Sequence, residues 1–262
     1  MIGFSISNKE NKKENIETIN PEIAEEKPIR SVVTVHFING REYPYYNDMF
    51  DLKVGDVVYV DGKLVGIPGR VTEVTTKFKV SLDFYKKVIA KLNLDFHGEF
   101  KNTACFVACT NPDVLNIEQV KNWYFPPRDE KEEFFVGDGY TVNLDNITAC
   151  EDFKDDEFDD AVDIFDERKV KFVTVKNEKG YAIVKRNKPH LVEFEYKNGV
   201  NSNLLCDCIK PGLCAHSFAV CFAMDIMTKN GIDRSNPNFT ALDANEFFEI
   251  VSYTDKDFSV KI

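Results

Sequence analysis

From residue 31 onward, apolar residues alternate with polar ones in short runs separated by turn signals. Asn39-Gly40, Asp61-Gly62 and Pro68-Gly69 interrupt these runs, and such dipeptides mark tight turns between strands. Val and Phe fall on one side of the alternation and charged residues on the other, which is typical of half-buried strands. The pattern predicts five short strands that close into a small β-barrel of SH3-like size.

The apolar spacing changes at the end of this region. After Ser81, apolar side chains recur every three or four positions, at Leu82, Tyr85, Val88, Ile89 and Leu92. This spacing predicts a helix over residues 81–92 with one face toward the core. We therefore predict a first domain over residues 31–92, made of the small barrel and this trailing helix.

Residues 93–150 predict an irregular α+β connecting region. It contains a buried strand at 103–110, a short helix at 114–124 that ends before Pro126-Pro127, and a hairpin around Asp138-Gly139. Cys105 and Cys109 lie inside the apolar strand, and buried free cysteine is common, so we interpret both as core residues.

Residues 151–230 predict a helix, a β-meander and a second helix. Phe158, Val162 and Phe165 give residues 151–167 one apolar face. Three strands separated by turns follow from 168, and a strongly apolar helix begins near residue 214. Residues 241–252 predict one more helix in a C-terminal segment over 231–262. The fold class is therefore α+β.

Charge and composition narrow the function. The chain has 33 basic and 44 acidic residues, a net charge of −11, which argues against a protein that coats DNA with its whole surface. Ten acidic residues and one Lys lie within 151–167, which we interpret as a solvated helix face. Residues 1–30 are polar and predict a flexible tail. No apolar run approaches the length of a membrane span, and no signal peptide is evident, so we expect a cytoplasmic protein without membrane contact.

Four of the seven cysteines fall within sixteen residues. The odd count and the clustering favour metal ligation in a reducing compartment over a disulfide framework. Cys206, Cys208, Cys214 and His216 form the pattern C-x-C-x5-C-x-H, with Pro211-Gly212 as the intervening turn. Three sulfurs and one imidazole nitrogen complete a tetrahedral zinc shell with no open position, which predicts one structural Zn²⁺. The alternative is a chance cluster of buried cysteines.

This pattern resembles the SWIM-type zinc finger, whose ligands are C-x-C, a variable gap and C-x-H. The resemblance covers roughly residues 155–228, with a helix and a meander before the cysteines and an apolar helix after the histidine. It implies that Cys206, Cys208, Cys214 and His216 bind the metal and that the finger binds nucleic acid or protein. Ala215 stands where family members often have a basic residue, and Cys221 turns away from the ligands by helical geometry.

Two binding hypotheses follow. Residues 166–229 hold eleven basic and seven acidic residues, and Lys185, Arg186, Lys188 and Lys210 near the finger form a candidate phosphate-binding patch. Stacking surface is expected from aromatic side chains of neighbouring strands, namely Tyr181, Phe194 and Tyr196. The first hypothesis is a nucleic-acid-binding protein, DNA in particular, with the barrel as a second contact surface. The second is a protein–protein adaptor whose acidic helix faces a basic partner.

Catalysis is not predicted. The sequence lacks a Walker A motif, a G-x-S-x-G elbow, an H-E-x-x-H pair and a dinucleotide-binding fingerprint. A thiol enzyme using Cys105 or Cys109 stays open, although no neighbour in sequence activates either residue. His36, His97 and His190 are interpreted as structural.

Overall fold

A computed structural model describes residues 30–78, 80–125, 139–149, 155–208, 210, 212–235, 237–252 and 260–261. Strands and helices mix in an α+β arrangement of a closed barrel and a larger sheet, as the sequence predicts at that level. Most of the tail predicted over 1–30 lies outside the described residues, as do Asp138 of the predicted hairpin and the start of the acidic segment.

The small barrel is confirmed. Its five strands are β1 (Ser31–Phe37), β2 (Glu42–Asn47), β3 (Val57–Val60), β4 (Gly69–Thr75) and β5 (Lys86–Lys91). β1 pairs antiparallel with both β2 and β4, and β3 pairs with β4 and β5. β5 runs parallel to β2 and closes the barrel. Val33, Val58 and Val88 are among the side chains that fill its interior.

The helix predicted over residues 81–92 is wrong. A 3-10 turn at Leu82–Phe84 leads directly into strand β5. Val88 packs inside the barrel, while Ile89 on the opposite side packs against a second core cluster shared with the large sheet. Because both faces of this strand are partly buried, its apolar residues follow no strict alternation and imitate a helical stripe.

The large sheet has nine strands in the order β14-β6-β7-β13-β9-β10-β11-β12-β8. Their bounds are β6 (Phe100–Thr103), β7 (Phe106–Cys109), β8 (Tyr140–Asn143), β9 (Val170–Lys176), β10 (Lys179–Lys185), β11 (Pro189–Lys197), β12 (Val200–Cys206), β13 (Phe239–Asp243) and β14 (Val260–Lys261). The predicted meander is present as β9 to β12, with β12 as a fourth strand beyond the three that the sequence indicates. Strands from residues 93–150 and 231–262 extend it, so one sheet joins three of the predicted segments.

Two elements differ from the sequence-based prediction. The strand predicted at 103–110 is a hairpin, in which Ala104 takes a φ of 60° between β6 and β7. The helix predicted over 241–252 begins only at residue 244, since residues up to Asp243 form β13 between β7 and β9. Asp243 then accepts hydrogen bonds from the backbone amides of Asn245 and Glu246 and so caps the helix that follows.

Helices cover both faces of the sheet. The helices are α1 (Ile117–Tyr124), α2 (Asp155–Asp166), α3 (Ala215–Lys229) and α4 (Ala244–Ser252). α2 and α3 pack on one face, joined by ring contacts from Phe158 and Phe165 to Phe222 at 5.7 and 5.9 Å. α1, α4 and one side of the barrel cover the other face. Within the described ranges, no helix is both long and apolar enough to cross a membrane.

Candidate metal centre

Three cysteines and one histidine meet where strand β12 gives way to helix α3. Cys206 is the last residue of β12, Cys208 lies in the bend that follows, Cys214 is the N-cap residue of α3, and His216 is in its first turn. One ligand atom from each of the four side chains lies within 4.8 Å of the other three. The structure thus brings together all four residues that the sequence nominates as ligands.

The cluster fits a tetrahedral metal ion. Zn–S distances near 2.3 Å and Zn–N distances near 2.0 Å place neighbouring ligand atoms about 3.5–3.8 Å apart. The Cys214 sulfur is 3.9 Å from His216 Nδ1, close to that separation. The three cysteines are free thiols rather than partners in a disulfide. A possible metal site of the predicted composition is therefore present, and its donor set is one that zinc prefers.

The backbone between the two ligand pairs makes this approach feasible. Gly212 has a φ of +100°, a left-handed conformation that glycine adopts at little cost. A Cβ built there would lie 3.3 Å from the hydroxyl oxygen of Tyr140. The predicted turn at Pro211-Gly212 therefore has its glycine in the expected conformation, while Pro211 lies outside the described residues.

Electrostatics concentrate negative charge on Cys214. Hydrogen bonds from the thiols of Cys206 and Cys208 hold the pKa of Cys214 well below its usual range. The pKa of Cys206 is raised well above its usual range, because its neutral thiol is the hydrogen-bonding partner of Cys208 and Cys214 and is partly shielded from water. Cys214 also sits at the N-terminus of α3, where the helix dipole stabilises a thiolate. A thiolate at Cys214 would be a suitable donor for a metal cation.

His190 lies beside this cluster, which the sequence did not indicate. Its Nδ1 is 2.8 Å from Oδ1 of Asp207, and its ring centroid is 4.3 Å from that of His216. Ligand atoms of His190, Cys206 and Asp207 form a second set within 4.8 Å of one another. The pairing of Val192 with Cys206 between β11 and β12 places His190 here, and that register is a tertiary feature that spacing along the chain does not show.

Three of the four basic residues nominated near the finger contact other side chains. Arg186 Nη1 is 3.6 Å from Asp160 of α2, and Lys210 Nζ is 3.5 Å from Glu157 of the same helix. Lys185 Nζ lies 5.6 Å from the ring centroid of Tyr124, and Lys188 is exposed. The acidic helix therefore neutralises two of the four nominated cations.

The aromatic stacking surface expected beside the finger is not present. Phe194 and Tyr196 are buried in the core under α3, and only Tyr181 of the nominated set is partly accessible. The strands alternate as predicted, but helix α3 covers the face that these two rings occupy. Sequence periodicity alone does not tell which face of a strand a helix covers.

Among the described residues, Cys105, Cys109, Cys221, His36 and His97 lie outside this cluster. Cys109 and Cys221 are buried, and Cys105 is half-buried. His36 contacts Glu42 at 3.4 Å in the barrel, and His97 contacts Asp95 at 3.2 Å before the large sheet. Comparison of the whole chain with protein-family models, curated proteins and solved structures gives no match.

Proposed function

We propose that this chain is a non-catalytic binding protein whose C-terminal part is held together by one structural Zn²⁺ in a SWIM-type finger. The convergence of Cys206, Cys208, Cys214 and His216 carries the proposal. Two ligands come from the end of a strand and its following bend, and two from the start of a helix. A bound Zn²⁺ would supply a crosslink between these elements.

The ligand set supports a structural role over a catalytic one. Four protein ligands complete a tetrahedral shell and leave no coordination position for water or substrate. Free energies of zinc binding at comparable sites are about 10–16 kcal/mol, similar to the whole stability of a domain. The chain's own residues then position the strand end against the helix, and we infer no reaction at the metal.

Nucleic acid, and DNA in particular, is the partner we propose. The finger serves as a scaffold, because helix α2 pairs with Arg186 and Lys210. Residues 155–229, which include α2 and the finger, hold eleven basic and thirteen acidic residues, whereas residues 31–92 hold nine basic and seven acidic residues. The N-terminal barrel is therefore the more favourable surface for phosphates. Free thiols in the six cysteines that the structure describes fit a reducing compartment, and we propose the cytoplasm.

The adaptor hypothesis has one observation in its favour. Asp159, Asp163 and Asp166 are exposed along the solvent side of α2, and none of them has a cation within 4.0 Å among the described residues. A basic protein partner would match this face. Gentle isolation separates the two hypotheses, since an adaptor copurifies with a basic protein and without nucleic acid.

The test uses the zinc-loaded full chain and fluorescein-labelled DNA, with binding followed by fluorescence anisotropy. We expect affinity to fall at least about tenfold between 50 and 200 mM salt, because bound cations release counterions from DNA. Metal content measured on the same sample should be one zinc per chain. Undetectable binding to single- and double-stranded DNA at 50 mM salt would exclude the nucleic-acid function.

A further inference from the structure

A concave surface of the barrel lies far along the chain from the residues of the candidate metal centre. It is a groove of about 740 Å³ between the turn that joins β1 to β2, the 3-10 turn after β3 and the segment that precedes β5. This volume is within the range of small-ligand sites. We call this surface the barrel groove, and its chemistry rests on six of its lining residues: Arg41, Tyr43, Lys63, Phe84, Tyr85 and Lys86.

Unpaired cations surround the barrel groove. Across the ranges that the structure describes, none of Arg41, Lys63 and Lys86 has a carboxylate within 4.0 Å. Asp61, the one acidic residue in the lining, accepts a hydrogen bond from the backbone amide of Lys87 at 2.7 Å. These cations differ from those at the finger, where α2 supplies carboxylates. Arg41, Lys63 and Lys86 are therefore available to bind an anionic ligand.

Aromatic rings lie among these cations. Phe84 is 82% exposed and Tyr43 is 38% exposed, while Tyr85 is half-buried. An exposed phenylalanine in a concave, largely apolar surface indicates an interaction site more strongly than isolated surface residues do. Strands β2 and β5 pair in parallel, with Tyr45 opposite Lys86, and this pairing places Tyr43 of β2 near Lys86 of β5. Phe84 lies in the 3-10 turn that leads into β5.

We infer that the barrel groove binds single-stranded nucleic acid, with Phe84 and Tyr43 stacking on bases and the three cations contacting phosphates. This inference rests on the proposed nucleic-acid function and assigns it a site. A positively charged groove with aromatic platforms is the usual architecture for binding single strands without sequence preference. DNA and RNA single strands share this chemistry.

Duplex DNA and acidic peptides fit the same surface less well. The bases of a duplex are stacked within the helix and cannot stack on Phe84 without being unpaired. An acidic peptide would satisfy Arg41, Lys63 and Lys86 but supplies no planar rings of the kind that stack on exposed aromatic side chains. The combination of cations and exposed rings therefore favours unpaired bases.

The test measures binding of fluorescein-labelled oligothymidylate by anisotropy, using the zinc-loaded full chain. Phe84→Ala is expected to weaken binding about tenfold, since stacking on one aromatic residue commonly contributes that much. Affinity falls as salt rises, and the double variant Lys63→Gln/Lys86→Gln is expected to make this dependence less steep. The slope of log affinity against log salt should decrease in magnitude by about 1.4, because two phosphate contacts are lost. The side chains of Phe84, Lys63 and Lys86 are exposed, so the folding and the zinc content of these variants should be unchanged.

Matched controls use residues of the same type elsewhere. Phe248→Ala removes a phenylalanine that is 57% exposed on α4, and Lys185→Gln/Lys188→Gln removes two cations near the finger. Both should leave affinity unchanged. Oligouridylate should bind as well as oligothymidylate or nearly so, whereas a duplex of the same length and poly-glutamate should compete weakly.

The outcomes separate this inference from the function it rests on. Binding that survives the groove variants but is lost in Lys185→Gln/Lys188→Gln overturns the groove and keeps the nucleic-acid function. Equal competition by duplex or by poly-glutamate also overturns the groove, because neither ligand offers unpaired bases. If the wild type binds none of these nucleic acids at 50 mM salt, both proposals are wrong.

Discussion

The four ligand side chains are individually ordinary, and their proximity gives the site its chemistry. Cys206 and Cys208 are half-buried and Cys214 is buried, which places the sulfurs at the edge of the core rather than on an open surface. Thiolates this close repel one another unless protons or a cation are shared among them. A divalent cation resolves that repulsion for all three at once.

At this scale we predict that Cys208→Ser reduces zinc from one per chain to a small fraction of that value. Serine is a poor ligand for zinc, and three remaining ligands do not close the shell. The measurement is metal analysis of the purified protein by mass spectrometry. Cys105→Ser is the matched control, because Cys105 lies outside the cluster and should leave the zinc content intact. Equal zinc loss in both variants would contradict the assignment.

Helix α3 and strand β12 would depend on a bound metal to different degrees along their length. The body of α3 packs against the sheet and against α2 through Phe218 and Phe222. Of the described residues between Cys206 and Cys214, only Leu213 packs into the same core cluster. The metal is therefore expected to hold the junction, whereas the hydrophobic core holds the elements on either side.

We predict a local response to metal removal. After chelation, amide hydrogen exchange should accelerate at the end of β12 and in the first turn of α3, because the crosslink between them is lost. Strands β1 to β5 enclose a separate core cluster and should keep their protection, which makes them an internal control. Uniform loss of protection across the barrel and the sheet would show that the metal stabilises the whole chain instead.

The barrel and the sheet are joined across the whole molecule by a shared apolar cluster. Val57 and Tyr59 of β3 pack with Trp123 of α1 and Phe247 of α4. The Tyr59 hydroxyl donates a hydrogen bond to the carbonyl oxygen of Trp123. Burial, with a smaller effect from the Glu246 carboxylate, raises the pKa of Tyr59 well above its ordinary value of 10.0. The junction is therefore built for a neutral tyrosine.

For the junction we predict that Tyr59→Phe lowers the free energy of unfolding by about 1 kcal/mol at pH 7, since one buried hydrogen bond is lost. Because the folded-state pKa of Tyr59 is raised, its stabilising contribution is complete below pH 10 and is lost as the pH rises above that value. The difference between wild type and variant should therefore narrow above pH 10. Urea unfolding at several pH values measures the difference in the free energy of unfolding between wild type and Tyr59→Phe. A difference that stays constant from pH 7 to above pH 10 would contradict the prediction.

Some features of this protein follow from residues that are close together in the chain, and others follow only from contacts between distant residues. The spacing of Cys206, Cys208, Cys214 and His216 identified the candidate metal site, because ligand chemistry and a short loop restrict where those atoms can meet. The turn dipeptides and alternation after residue 31 identified the barrel for a similar local reason. These features depend on residues close together in the chain.

Other features depend on residues far apart. Strand β5 forms because β2 and β3 need a partner that closes the barrel, and this pairing overrides the helical spacing of its apolar residues. Phe194 and Tyr196 are buried because α3 covers their face of the sheet, and Arg186 and Lys210 are paired because α2 packs beside the finger. Local pattern thus determined which residues form the candidate metal site and which region forms a barrel, whereas packing decided which cations and rings remain available to a partner.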